Sequence, residues 1–170
     1  MIAHHFIRIR KANSADIALL SSIIRKSFRD VAVKFGLTPE NCPKHPSNCT
    51  DDWITNDFAR GVIYYLLELN GLPVGCVAIE KATNDLCYLE RLAVLPEKRC
   101  KGFGNQLAHQ VLDTARAWGT KSISIGIIAE QTDLKMWYQK IGFKEGETKE
   151  FSHLPFCVCF MTYEIGRNLT

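Results

Sequence analysis

The segment Tyr88–Gln106, YLERLAVLPEKRCKGFGNQ, constrains the fold of this chain more than any other stretch. It reads as a strand, a proline, a basic turn holding two glycines, and then a helix marked by Phe103, Leu107, Val111, Ala115 and Trp118 and stopped at Gly119. Ile123, Ile125 and Ile127 alternate as the next strand, which makes a β-α-β unit. The turn also predicts an anion site. Glycine lets the backbone approach a ligand closely, and the first turn of a helix directs unsatisfied N–H groups and the positive end of its dipole outward. Taken alone, R-x-x-G-x-G has two readings, a phosphate cradle or glycines that serve only the turn. It departs from the dinucleotide fingerprint, which needs G-x-G-x-x-G after a first strand and an acidic residue about 20 positions on. NAD binding is therefore disfavoured.

On the N-terminal side, Phe6–Arg10 alternates apolar and basic residues as a strand does, and Asn13 can cap a helix whose Ile17, Leu20, Ile24 and Phe28 recur at helical spacing up to about Gly36. Three prolines and two cysteines between Leu37 and Thr50 predict a loop, followed by a short helix from about Asp51 to Ala59. Val62–Leu69 and Val74–Lys81 are β-rich runs separated by the turn Asn70, Gly71, Leu72 and Pro73, and Leu86–Val94 extends the meander. After the β-α-β unit, Leu134, Trp137, Tyr138 and Ile141 mark a helix ending at Gly142, and Phe143–Phe151 and Phe156–Ile165 read as closing strands. The expectation is an α/β chain with a mixed, mostly antiparallel sheet of six to seven strands and helices on both faces.

A chain of 170 residues with 46% hydrophobic and 23% charged residues closes one substantial core, so residues 1–170 are expected to form a single domain. The longest apolar run, Val62–Leu67, is far below the roughly 20 residues of a membrane-spanning helix. The N-terminus carries histidines and arginines where a secretory signal has an apolar block. A soluble, cytoplasmic protein without a membrane partner is expected. The net charge of +3 is scattered, with its densest basic cluster at Lys98, Arg99 and Lys101, which suits a local polyphosphate site better than a nucleic-acid face. Seven cysteines, an odd number and mostly in apolar stretches, fit a reducing compartment. Cys42, His45 and Cys49 offer only three donors without a paired C-x-x-C and read as a proline-pinned loop in preference to a metal site.

The strand pattern E-x-L-A-V at Glu90–Val94, the turn R-x-x-G-x-G at Arg99–Gly104 and the later W-Y-x-K-x-G-F at Trp137–Phe143 occur in an order that resembles the cofactor-binding core of the GNAT N-acyltransferases. The resemblance runs from about residue 62 to 165. It implies the GNAT fold, acetyl-CoA as cosubstrate, no metal, and N-acetyl transfer to a primary amine of a small molecule or peptide. By position it implies that Leu92, Ala93 and Val94 pair with the pantetheine arm as an added strand, and that Arg99, Cys100, Lys101, Gly102, Phe103, Gly104 and Asn105 hold the pyrophosphate. Glu130, Gln131, Leu134 and Lys135 are implied beside the cofactor tail. Tyr138 matches a general acid that protonates the departing thiolate, and Glu90 a general base. Two positions depart from the common pattern: Gln131 stands where asparagine is frequent, and Cys100 where a small residue is usual.

These residue types suit the reaction. An alkylamine with a pKa near 10 is protonated at neutral pH, so a base must take a proton before nitrogen attacks the thioester, and Glu90 can supply it. A backbone N–H near Val94 can stabilise the oxyanion, and the Tyr138 hydroxyl can protonate the thiolate. Each has a plainer reading. Glu90 can be an ion-pair partner of adjacent Arg91, with Tyr88, Glu90 and Leu92 on one face of the strand and Leu89, Arg91 and Ala93 on the other. Tyr138 can be a core aromatic, although a buried phenol needs a partner for its hydroxyl. The rival to the enzyme is a catalytically silent acyl-CoA-binding module. Acceptor recognition falls to the Leu37–Thr50 loop, the helix after it and the loop around His153, and sheet edges of this kind leave a homodimer open.

Overall fold

A computed structural model describes residues 5–166. Seven strands form one sheet in the order β1-β2-β3-β4-β5-β7-β6, where β1 is Ile7–Lys11, β2 Ile63–Leu69, β3 Leu72–Lys81, β4 Leu86–Val94, β5 Ser122–Ile128, β6 Lys144–Glu150 and β7 Cys157–Glu164. Every neighbouring pair is antiparallel except β4 and β5, which are parallel because the helix between them crosses over. The expected mixed sheet is present, and four α-helices cover its two faces.

Helices α1, Ile17–Phe35, and α2, Asp51–Ala59, cover one face. Leu20, Ile23, Ile24 and Ile54 pack there against Tyr64, Leu66, Cys76, Ala78 and Ala93. Asn13 caps the start as its sequence position predicts, but through a short 3-10 turn, Ser14–Asp16, in which the Asn13 side chain accepts from Ala15 N–H and Asp16 reaches back to the Asn13 N–H. Helices α3, Phe103–Ala117, and α4, Thr132–Ile141, cover the other face. Leu107, Val111, Leu112 and Ala115 present an apolar stripe to Leu67, Val77, Ile79, Leu89 and Ile123. Each such buried side chain contributes about 1.5–3 kcal/mol by leaving water.

The β2–β3 hairpin is tighter than expected. Asn70 and Gly71 alone form the turn, both with positive φ (52° and 80°), so Leu72 faces Leu69 and Pro73 lies in the strand. A bulge between Leu67 and Glu68 absorbs the extra residue on β3. Among the described residues no helix is long and apolar enough to cross a membrane.

Candidate active site

A second bulge shapes the centre of the sheet. Cys76 of β3 pairs with Ala93 and Ala78 with Glu90, so β4 has one residue more than its partner, and Arg91 takes up a left-handed φ of 50°. The simple alternation read from the sequence fails here for that reason. Glu90 and Arg91 both turn to the α1/α2 face, Ala93 joins the core on that face, and Leu92 packs with Leu89 on the α3/α4 face. Arg91 donates from Nη1 to the Asp57 carboxylate and to the Tyr64 hydroxyl, and its guanidinium lies over the Trp53 ring. Asp57, only 3% exposed, is also held by Arg60 and Tyr64, each at 2.6 Å.

Arg91 is thus directed away from Glu90. The Glu90 carboxylate forms no ion pair or side-chain hydrogen bond among the described residues. Burial, reinforced by Glu80, pushes its pKa above the usual carboxylate range. A half-buried, unpaired carboxylate of this kind holds a proton more readily than an ordinary one and can act as an acceptor of protons.

Beyond Tyr88 the sheet opens. β4 and β5 pair only from Leu86–Tyr88 to Ser122–Ser124, so the edge of β4 from Leu89 to Val94 has no strand beside it. A cavity of about 490 Å3 occupies the gap. Leu89–Leu92 and Ile125–Ile128 form its walls across the splay, with Gln131, Leu134 and Tyr138 at one side. Phe28, Val31 and the Cys42–Pro46 loop close it from α1, and Leu154, Phe156 and Val158 from the last hairpin.

Tyr138 reaches this cavity from α4, buried to 5% exposure and packed edge-on between Trp137 and Phe143 with centroids at 4.9 and 5.3 Å. Its hydroxyl finds no hydrogen-bond partner among the described residues, which is how a donor reserved for a ligand would stand. Burial pushes the phenol pKa up, so the proton stays on at neutral pH. Glu90 and Tyr138 line the same space.

The turn after β4 carries a second feature. From Cys100 to Asn105, six successive backbone N–H groups have no acceptor among the described residues, the first intrahelical bond being Gln106 N–H to Gly102 O at 3.1 Å. Cys100 and Gly102 both have positive φ (61° and 82°), which curls these N–H groups into a concave nest at the N-terminus of α3. The Arg99 guanidinium does not join them. It donates to Asp30 at 2.5 Å, to Ser27 O at 2.5 Å and to Val94 O at 3.2 Å, clamping the turn onto α1. Lys101 is exposed and makes no ion pair among the described residues.

The remaining site residues named from the sequence divide. Gln131 and Leu134 line the cavity, whereas Glu130 is exposed and Lys135 is paired with Glu145 at 2.8 Å. His153 is exposed against Phe151, outside the cavity lining, and its neighbour Leu154 takes that place. His45 and Cys42 enter the cavity wall, while Cys49 packs under α1 and α2, so the three donors do not converge. His45 Nδ1 meets the Ser47 hydroxyl at 2.8 Å, and burial lowers its pKa, leaving the ring neutral. Sequence reasoning gave no part in the site to Arg91, Phe28 or the Ile125–Ile128 strand. Nothing in their local pattern distinguishes them from core or surface residues, and only the splay exposes them.

Residues 25–143, which span most of α1 through α4, match the profile described as the acetyltransferase (GNAT) family. The chain belongs to this family. Membership makes it an acetyl-CoA-dependent acyltransferase, as the order of its motifs implied. An uncharacterized N-acetyltransferase of Escherichia coli, YjgM, is 27% identical over 124 residues, covering 71% of this chain and 74% of the relative. The GNAT fold is shared with the PaiA N-acetyltransferase of Thermoplasma acidophilum, solved in complex with coenzyme A, at a TM-score of 0.79, 18% identity and coverage of 94% of this chain and 99% of that one. A GNAT family acetyltransferase of Elizabethkingia anophelis with acetyl-CoA bound superposes with a TM-score of 0.65 at 18% identity, covering 94% and 98%.

Proposed function

We propose that this GNAT enzyme transfers acetyl from acetyl-CoA to a primary amine by direct attack, with Glu90 as general base and Tyr138 as general acid. The observation that carries the reading is the placement of an unpaired carboxylate and an unpartnered phenol on one cavity, at the point where β4 and β5 separate. The open edge of β4 at Leu92, Ala93 and Val94 suits an extended pantetheine arm, and the nest from Cys100 to Asn105 suits its pyrophosphate, with the side chain of Lys101 as a nearby cation. Arg99 serves by holding the turn. Gln131 and Leu134 flank the acyl end, Glu130 stands exposed in the turn before α4, and Lys135, on α4, is paired with Glu145.

Glu90 takes one proton from the incoming ammonium. The freed nitrogen forms a bond to the thioester carbonyl carbon, and the oxyanion is held by backbone N–H on the open edge of β4. Collapse breaks the C–S bond, and the departing thiolate takes the Tyr138 proton. The nitrogen loses its second proton as the amide forms, which restores the phenol, and Glu90 releases the first proton to solvent. Seven free cysteines fit a reducing, cytoplasmic setting.

A thermal-shift titration with acetyl-CoA, read beside thiol release across a panel of amines, tests the proposal. Stabilisation with turnover is expected. Stabilisation without turnover on any amine would leave a silent acyl-CoA binder, and absence of stabilisation would remove the cosubstrate site.

A further inference from the structure

The cavity lined by Glu90 and Tyr138 is unevenly furnished with charge. Glu90 is the one carboxylate in the lining. Arg91 arrives with its own counter-ion, because Asp57 and Tyr64 bind its Nη1. Lys44 is exposed at the rim, where solvent screens it, and His45 is neutral. The rest of the acceptor side is aliphatic or aromatic: Phe28 and Val31 from α1, Ile127 from β5, and Leu154, Phe156 and Val158 from the last hairpin.

We infer that the acceptor is a small monoamine with an apolar body and no carboxylate, its ammonium set against Glu90 and its body against this wall. The inference rests on reading the cavity as the acceptor half of acetyl transfer. The cavity of about 490 Å3 also takes the acyl end of the cosubstrate, so the share left for the acceptor is that of a small molecule. A polyamine would bury a second ammonium against hydrocarbon with no carboxylate to meet it, and charges buried without partners are costly. An aminoglycoside would bring many hydroxyls to a wall with few polar groups. An α-amino acid would set its carboxylate beside that of Glu90, with only the rim lysine to offset the repulsion. The reaction is unchanged: the amine nitrogen gains the acetyl carbon, the C–S bond breaks, and coenzyme A leaves as the thiol.

Phenethylamine, phenylalanine, spermidine and kanamycin, compared by thiol release at saturating acetyl-CoA, separate these classes. Phenethylamine is expected to exceed each of the others in kcat/KM by about tenfold or more. Leu154→Glu adds a second carboxylate to the wall and is expected to shift the ratio toward spermidine by about tenfold. Val31→Glu makes the same change from α1. Preference for spermidine, kanamycin or phenylalanine in the native protein would overturn the inference, as would unchanged ratios in both variants while acetyl-CoA still stabilises them. Loss of acetyl-CoA stabilisation in the native protein would instead overturn the enzyme reading beneath it.

Discussion

Glu90 and Arg91 are adjacent in sequence, carry opposite charge and turn to the same face, yet they do not pair, because Asp57 and Tyr64 capture the arginine. That leaves Glu90 with a raised pKa whose direction fixes two outcomes. As the proposed general base Glu90 must be ionised, so kcat/KM should fall as pH drops through the raised pKa, with the acid limb above the range of an ordinary carboxylate. Glu90→Gln should lower kcat/KM by about 100- to 10,000-fold and remove that limb; a variant with native rates would end the role of Glu90 as base. In folding the sign is opposite to that of a salt-bridged acid. The folded state holds the Glu90 proton more tightly than the unfolded chain, so its ionisation erodes stability as pH rises from the ordinary carboxylate pKa through the raised one. Glu90→Gln should therefore raise Tm at neutral pH and not at pH values below both, as a pair of melting curves would show. Tyr138→Phe keeps the ring packing and deletes only the hydroxyl. It should retain acetyl-CoA stabilisation while turnover falls about 10- to 1,000-fold, and unchanged turnover would return Tyr138 to the core aromatics.

At the scale of elements, the site depends on two short irregular stretches, the bulge in β4 and the turn into α3. Gly75 lies opposite Val94, one pair beyond the bulge, where an added Cβ would stand 2.8 Å from Ala93 O and 3.1 Å from the Leu107 side chain. Gly75→Ala should cost about 1–3 kcal/mol in urea unfolding as the strands are forced apart. Gly102→Asp would place a β-carbon at φ 82° and a negative charge beside the nest, and acetyl-CoA should then give no thermal shift; a normal shift would refute the pyrophosphate site. These two stretches also mark what the sequence can disclose. The strands and helices around them announce themselves by period, as Leu107, Val111 and Ala115 do for α3, and the glycines of the turn announce the tight entry into α3 where the N–H groups stand free. The bulge does not: the consecutive charges Glu90 and Arg91 read as easily as neighbours on opposite faces of a regular strand, and the partners that hold Arg91 in its left-handed conformation, Asp57 and Tyr64, come from α2 and β2, far away in sequence. The hairpin turn differs from expectation for a related reason: Pro73 is a common turn residue, yet it lies in β3 beside the bulge, where the ladder does not need its missing N–H.

Across the whole molecule, the sheet is two halves joined weakly. β1 to β4 form one antiparallel block and β5, β7 and β6 another, and among the described residues the ladder between them is short, Leu86–Tyr88 against Ser122–Ser124 with Lys121 and Ser122 N–H bonded to Asp85 O. The outer strand β6, KEGETKE, is exposed and charged along its length, a poor edge for another chain to extend, so growth of the sheet is favoured inside the splay and not at that end. An extended ligand arm entering the gap would supply the missing strand and tie the halves together. Acetyl-CoA should therefore slow amide exchange in residues 89–94 on the open edge of β4 and in residues 100–105 of the nest. The interior of β3, paired on both sides already, should be unchanged. Exchange followed by mass spectrometry with and without acetyl-CoA reads this directly. Protection confined to the nest would mean that the ligand is held by its phosphates alone, and protection in neither segment would place the cosubstrate outside the splay.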